Sequence, residues 1–325
     1  QADVGWFAEW NMDLAPRWTL RLGGRMDYAL SSAEAVNDLG VGGVSVRQQF
    51  IRFYGPEAGK VDRDELLGSG NALLEWQPID PLFIHLGGGA TSRPAGITER
   101  FYAFSPAPGG YQIGNPSLDP EIKYEVNWGA DWRRSWGTVG ISFFYSWVND
   151  YILQTKVGDF ADGLPVRGFR NLDAELYGAE LGAVLRPFKH WTFPLSLSYV
   201  RGRNSSEDRD LPEIPPLEGR AAARFEHGTG VPWWIEFGGR FTAPQKDVDD
   251  WFPEDETAGY AVFHLYAGCR PVKNLRIQVG IDNLFNKEYH EHLTREAVFA
   301  GGDLLAGDEV PAPGISFFAV GRYDF

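Results

Sequence analysis

The fold is decided by the stretch Glu121-Ile122-Lys123-Tyr124-Glu125-Val126-Asn127-Trp128-Gly129-Ala130-Asp131-Trp132, in which every second residue is apolar. Successive side chains of a β-strand point to opposite faces, so this period of two predicts a strand with one apolar and one mostly polar face. The segment that follows repeats the pattern, with apolar residues at Val139, Ile141, Phe143, Tyr145 and Trp147. Two such neighbouring segments predict an antiparallel pair.

The same alternation recurs over most of the chain. We predict about thirteen strands, near residues 4–12, 17–29, 69–77, 82–92, 120–132, 137–149, 174–186, 190–202, 218–228, 232–243, 258–270, 273–286 and 314–325. The connections alternate in length: short ones lie near 13–16, 78–81, 133–136, 187–189, 228–231 and 271–272, and long ones cover roughly 30–68, 93–119, 150–173, 203–217, 244–257 and 287–313. Short turns at one end and long loops at the other are typical of outer-membrane β-barrels.

Composition narrows the class of protein. The mean hydropathy is −0.29 and no run of 18 apolar residues occurs, so the sequence contains no transmembrane helix. A barrel wall escapes this test, because only alternate residues of each strand face lipid. The net charge of −14 argues against a nucleic-acid partner, which needs a basic surface. The single cysteine, Cys269, excludes an internal disulfide and a cysteine-based zinc cluster.

The positions of aromatic and charged residues favour a membrane wall over a soluble sandwich. Tryptophans beside the short turns predict one interfacial belt, and aromatics at the opposite strand ends predict a second; the two sets are Trp18, Trp76, Trp132, Trp136 and Trp191, and Tyr28, Trp147, Tyr151 and Tyr199. The polar faces carry many charges, which suit a hydrated or plugged lumen: Arg17, Arg21, Arg25, Asp27, Arg220, Arg224, Glu236, Arg240, Arg276, Asp282, Arg322 and Asp324. We therefore predict an all-β, antiparallel transmembrane β-barrel in a bacterial outer membrane, with extracellular long loops and with outer-membrane lipid and lipopolysaccharide as partners.

Three internal motifs and the chain end narrow the family. Gly114, Asn115, Pro116, Leu118, Pro120 and Glu121 form a GNPxLxPE motif, and Asn283, Leu284, Phe285, Asn286, Lys287 and Tyr289 form an NLFNKxY motif. The segment Phe7-Ala8-Glu9-Trp10, followed by Trp18-Thr19-Leu20 and Gly24–Tyr28, has the form FxEY…WxLxxGxRxDY. The last strand places Tyr323 and Phe325 on the apolar face. Together these features resemble the C-terminal barrel of TonB-dependent outer-membrane receptors.

This resemblance implies a barrel of about 22 strands filled by a plug domain that engages TonB. We expect residues 1–325 to be the C-terminal part of such a barrel, with no plug domain, TonB box or signal peptide in this chain. The implied function is TonB-energised uptake of a scarce, bulky nutrient such as a siderophore, metal complex, haem or cobalamin. The implied partners are the plug and TonB, the barrel assembly machinery acting on the last strand, and the small-molecule nutrient. No enzyme activity or cofactor is implied.

The motifs themselves predict structure rather than a ligand pocket. Gly114–Glu121 ends a loop and begins a strand, and Asn283–Tyr289 carries a strand out of the membrane with an aromatic pair at the interface. Ligand contact is predicted instead for aromatic residues of the long loops, because loops often carry function. The candidates are Tyr54, Phe101, Tyr102, Phe104, Tyr111, Trp251 and Phe252.

Several other features leave alternatives open. His290-Glu291-His292 suggests either a metal site or a hydrated loop base, and His85 and His264 either ligands or ordinary lumen residues. The acidic run Asp247, Asp249, Asp250, Glu254, Asp255 and Glu256 suits either a solvated surface or attraction of a cationic ligand. A complete passive porin or fatty-acid channel is the alternative function, and an outer-membrane hydrolase is a third, for which the sequence shows no serine–histidine arrangement.

Overall fold

The structure, a computed structural model, describes residues 1–107, 109–228, 230–249, 254–294, 305 and 308–325. Its strands are β1 Ala2–Ala15, β2 Trp18–Ser31, β3 Arg63–Ile79, β4 Leu82–Arg93, β5 Ser105–Ala107, β6 Gly110–Gln112, β7 Glu121–Arg134, β8 Gly137–Asp159, β9 Pro165–Leu185, β10 Trp191–Asn204, β11 Arg209–Asp210, β12 Glu218–His227, β13 Trp233–Thr242, β14 Tyr260–Val272, β15 Leu275–Asp282 and β16 Ser316–Tyr323. Thirteen of them form one antiparallel sheet in chain order, and β5, β6 and β11 lie beside it.

The thirteen strands of the main sheet correspond to the thirteen predicted ones. The largest difference is at residues 150–173, where the predicted long loop is wrong because β8 and β9 continue as a paired hairpin to Asp159 and Pro165. Apolar residues on this extension, such as Ile152 and Val166, are buried against neighbouring loops, and this burial supports the longer ladder. The last short turn lies at Lys273 and Asn274, two residues later than predicted.

The two faces of the sheet differ as the alternation predicts. Tyr124, Val126 and Trp128 on the outer face are 44%, 47% and 42% exposed, so no second sheet covers them. This exposure excludes a soluble sandwich, in which one face of each sheet is buried. Among the described residues, β1 and β16 do not pair with each other, and the sheet is open.

Most of the predicted aromatic belts lie on this outer face. Tyr28, Trp147 and Tyr199 are exposed there, as are Trp76, Trp136 and Trp191 at the turn end. Tyr151 is the exception, because a bulge between Val148 and Tyr151 interrupts the alternation. Its ring packs instead against a buried cluster that contains Leu153 and Leu211, so its assignment to the belt was wrong.

On the inner face, large side chains lie across glycines of the neighbouring strand. Asn127 covers Gly87, His85 covers Gly129 and Trp234 covers Gly268, and a Cβ added to any of these glycines would overlap the covering side chain. Each pair is directly opposite in the register of the two strands. The large side chains therefore lie along the wall instead of projecting into the interior.

The main buried core lies in the loops, not between the strands. Residues 32–62, 94–120 and 150–173, here called the loop cap, contain helices α1 Val46–Tyr54 and α2 Ile97–Phe101 and three 3-10 helices, Ala35–Asn37, Val41–Gly43 and Pro56–Gly59. Their core consists of Val36, Phe50, Ala58, Val61, Phe104, Ile113 and Val166. No helix in the described part of the chain is long and apolar enough to cross a membrane.

Candidate functional site

The GNPxLxPE motif holds the loop cap to the wall. The Asn115 side-chain amide donates to the Phe169 carbonyl at 2.9 Å, and its oxygen accepts from the Ser117 backbone N–H at 3.0 Å and hydroxyl at 2.6 Å. The Gly114 N–H donates to the Tyr102 carbonyl at 2.8 Å, and a Cβ at Gly114 would lie 2.6 Å from the Arg100 carbonyl oxygen. Only glycine fits at this position.

The second half of the motif joins four elements. Glu121 accepts from Arg93 Nε at 2.7 Å and from the Ile152 N–H at 2.6 Å. The Pro116 carbonyl accepts from Arg63 Nε at 2.9 Å, and Leu118 is buried. These contacts tie β3, β4, β7 and β8 together at the loop end of the sheet.

A buried arginine, Arg100 of α2, completes this anchor. Its side chain is inaccessible to solvent, forms an ion pair with Glu65 of β3 and donates to the Leu118 carbonyl at 3.1 Å. Sequence reasoning missed Arg100, because Glu65 is 35 residues away and no local pattern links the two residues. A buried charge is tolerated only when it is paired in this way.

The structure brings several of the predicted ligand-contacting aromatics together, as packed residues of the loop cap. Tyr54 accepts from the Phe169 N–H at 3.1 Å, and burial raises the pKa of its hydroxyl above the usual value. Phe101 packs against the loop-cap core, and Phe104 is buried within it. Tyr102 is half-buried and accepts from the Ser105 hydroxyl at 3.3 Å.

Tyr111 belongs to the same aromatic group. Its ring lies 5.0 Å from Phe104 and 4.6 Å from Phe160, measured between centroids. Its hydroxyl donates to Asp162 at 2.6 Å, and this hydrogen bond raises the pKa of Tyr111 and lowers that of Asp162. Trp251 and Phe252, the other two candidates, lie outside the described residues.

The inner face of β12 to β15 carries a chain of polar side chains. Arg224 Nε donates to Glu236 at 2.7 Å, and His264 Nε2 lies 3.3 Å from the other oxygen of Glu236. The His264 ring stacks on Tyr266 at 4.2 Å, and the Tyr266 hydroxyl donates to Asp282. His264 is thus an interior residue with a carboxylate partner.

A cavity of about 970 Å³ opens beside this row of polar side chains. Its polar lining includes Arg220, Glu236, Arg240, His264 and Asp282. Arginine and carboxylate groups are mixed, so the lining carries no single sign of charge. Apolar residues such as Val184, Val262 and Phe263 complete the lining, and a roomy cavity that holds several charged groups suits water, a plug or a solute better than lipid.

The NLFNKxY motif forms one border of this cavity. Asn283 and Asn286 adopt left-handed backbone conformations with φ of 47° and 51°, and the Asn283 side chain donates to the Lys287 carbonyl at 2.7 Å. Phe285 is exposed, but Tyr289 points inward and accepts from Arg240 at 3.0 Å. The predicted aromatic pair at the interface is therefore wrong for Tyr289, because the turn at the two asparagines reverses its side.

The acidic loop is partly neutralised by side chains of β10, β11 and the loop that contains His292. Asp247 pairs with Arg201, Asp249 pairs with Arg209 at 2.6 Å, and Glu254 lies 3.0 Å from His292. His290 faces a different carboxylate, Glu309, at 2.9 Å. Within the described ranges, no group of three or more histidine, cysteine or acidic side chains could hold a metal ion.

Comparison with known proteins gives the family. The model of the family "TonB dependent receptor-like, beta-barrel" matches residues 1–284, which is most of the chain. The chain belongs to this family. Members are outer-membrane transport receptors.

Several relatives are similar in sequence or structure. TonB-dependent heme receptor A of Haemophilus ducreyi is 26% identical over 179 residues, which are 48% of this chain and 22% of that protein. The copper transporter OprC matches 99% of this chain and 48% of its own, with 28% identity and a TM-score of 0.84. The FrpB iron transporter from Neisseria meningitidis, at 18% identity and a TM-score of 0.67, shows the fold alone. The chain thus spans about a quarter of the heme receptors it matches and under half of these two solved structures.

Proposed function

We propose that this chain forms part of the wall and external cap of a receptor for TonB-energised uptake of a scarce, bulky nutrient across the outer membrane. The proposal rests on the family match over residues 1–284. The sheet that these residues form has an apolar outer face and a polar inner face. The loop end would then face the medium, and the turn end the periplasm. The plug and TonB would act through the interior, and the barrel assembly machinery on β16.

The last strand supports the assembly proposal. Tyr323 and Phe325 are exposed and their rings lie 5.2 Å apart. The Asp324 side chain accepts from Arg276 at 2.6 Å and from Arg322 at 3.0 Å, and its backbone N–H donates to the Asn274 carbonyl at 2.9 Å, which fixes the backbone between the two rings. The two aromatic side chains are thus available to an assembly partner on the membrane side.

Among the cargoes of the relatives, soft copper ions receive the least support from this chain. The three sulfur-bearing side chains are Met12, Met26 and Cys269. In the sheet register they are opposite Leu20, Trp6 and Trp233, respectively, which are residues of the apolar outer face. Soft ligands selective for copper are therefore directed toward lipid, and we propose a haem, siderophore or other bulky complex as cargo.

The test is growth of a strain that lacks its own uptake receptors and expresses the full-length receptor containing this chain. Haem, ferric siderophores and cobalamin are supplied one at a time as the limiting nutrient, with copper as a further arm. We expect growth on one of the bulky nutrients and loss of that growth when tonB is deleted. Growth that persists without TonB, together with steady conductance of the purified receptor in planar bilayers, would instead favour the passive channel.

A further inference from the structure

Four of the six described turns at the turn end of the sheet form a basic region, although the chain as a whole is acidic and Asp13 and Asp80 lie at the β1–β2 and β3–β4 turns. These four turns, between β7 and β8, β9 and β10, β12 and β13, and β14 and β15, together with the strand residues that flank them, occupy residues 133–136, 186–190, 227–228 with 230–232, and 270–274. They contain six lysines and arginines and two histidines, and no aspartate or glutamate. We call these eight residues the basic turn patch: Arg133, Arg134, Arg186, Lys189, His190, His227, Arg270 and Lys273.

The patch borders a continuous group of aromatic rings on the outer face. The Trp191 ring contacts Phe225 at 5.3 Å between centroids, and Phe225 contacts Trp233 at 5.6 Å. His190 lies 5.9 Å from Phe225, and His227 lies 5.8 Å from Trp233, both on the turn side of this group. Aromatic rings of this kind prefer the headgroup region of a bilayer.

The cationic groups of the central turn are available to a ligand. Phe188, Lys189 and Arg186 are exposed, and in the described part of the chain no carboxylate forms an ion pair with Arg186 or Lys189. A cavity of about 730 Å³ between the turns includes His190, His227, Trp233 and Arg270 in its lining. Cations directly beyond an aromatic belt meet the phosphates of membrane lipids.

We propose that the basic turn patch binds anionic phospholipid of the leaflet at the turn end. Arg186 and Lys189 contact the phosphate, and the rings of Trp191 and Trp233 contact the glycerol and upper acyl region. The acidic loop end repels the same headgroup, so the charge distribution also favours one orientation of the wall in the membrane.

The test is native mass spectrometry of the full-length receptor, titrated separately with phosphatidylglycerol and with phosphatidylethanolamine of the same acyl chains. The double variant Arg186→Gln/Lys189→Gln is compared with Lys60→Gln/Lys156→Gln, which removes the same charge at the loop end. Heat-dependent gel mobility confirms that each variant is folded. We expect preferential retention of phosphatidylglycerol by the wild type and the loop-end variant, and roughly tenfold or more weaker retention by the turn-end variant.

Two outcomes of these phospholipid titrations would overturn the proposal. One is equal retention of the two phospholipids by the wild-type receptor. The other is equal retention of phosphatidylglycerol by the turn-end and loop-end variants. A third arm with lipopolysaccharide distinguishes the source of phosphate: displacement of phosphatidylglycerol by lipopolysaccharide at the turn end would also contradict a phospholipid site.

Discussion

At the scale of single residues, replacing Arg100 is the most direct test of whether its ion pair with Glu65 holds the loop cap to the wall. Arg100 is fully inaccessible and the Glu65 side chain is 14% exposed, so removing Arg100 leaves a largely buried carboxylate without its counter-charge. We expect Arg100→Met to destabilise local packing by roughly 3–5 kcal/mol. Hydrogen exchange of residues 94–120 should then accelerate by roughly one hundredfold to several thousandfold, since each 1.4 kcal/mol is about a factor of ten.

The double variant Glu65→Leu/Arg100→Met is the matched control for this prediction. It removes both charges and leaves an apolar contact, which often restores stability. Exchange rates should return most of the way to wild type. A double variant as labile as Arg100→Met alone would show that the ion pair does not hold α2 to β3.

Tyr54 makes the loop cap sensitive to alkaline pH. Burial raises the pKa of its hydroxyl in the folded state, so the cap is fully stabilised below the unfolded value of about 10 and loses this stability as pH rises further. We expect proteolysis within residues 46–62 to accelerate between pH 9 and pH 11, each about one unit from that value. Tyr54→Phe should show a flatter pH profile, even if its baseline rate is higher.

At the scale of elements, α1 depends on its N-terminal cap. The Ser45 hydroxyl accepts from the Gln48 N–H, and the Gln48 side chain accepts from the Ser45 N–H. Ser45→Ala should destabilise α1 by about 1 kcal/mol, because one helix N–H loses its partner. Hydrogen exchange of residues 47–54 measures this loss, and Ser45→Asp should retain most of the protection. Equal protection in the alanine and aspartate variants would contradict the capping role.

The sequence predicts the wall better than the cap, for a physical reason. The two faces of a strand such as β7 can be recognised from twelve residues of sequence, because apolar and polar side chains alternate along it. The loop cap has no such period: Phe50, Ile113 and Val166 meet only after three distant segments have folded together. Tyr151 and Tyr289 were misplaced for a related reason, since a bulge or a left-handed asparagine reverses the side of a strand without changing residue type.

At the scale of the whole molecule, an added charge should destabilise the wall strongly on its outer face and only weakly on its inner face. Val126 faces outward, and its neighbour Asn127 faces inward beside Gly87. We expect Val126→Arg to cost about 2–4 kcal/mol of folding free energy in bilayers. Asn127→Arg should cost much less. Urea titration of folding, followed by heat-dependent gel mobility, measures both variants in the full-length receptor; equal losses would contradict the assigned faces.

The glycines covered by large side chains have a consequence for how this wall can change. A larger residue at Gly129 has no space until His85 becomes smaller, and a smaller residue at position 85 leaves a groove that only a larger neighbour fills. At such positions, we expect a paired substitution of the glycine and its covering residue to be tolerated better than either single substitution. We therefore expect the inner surface of this wall to change by paired substitutions on neighbouring strands. Such pairs would change the chemistry of the inner surface and keep its contour smooth.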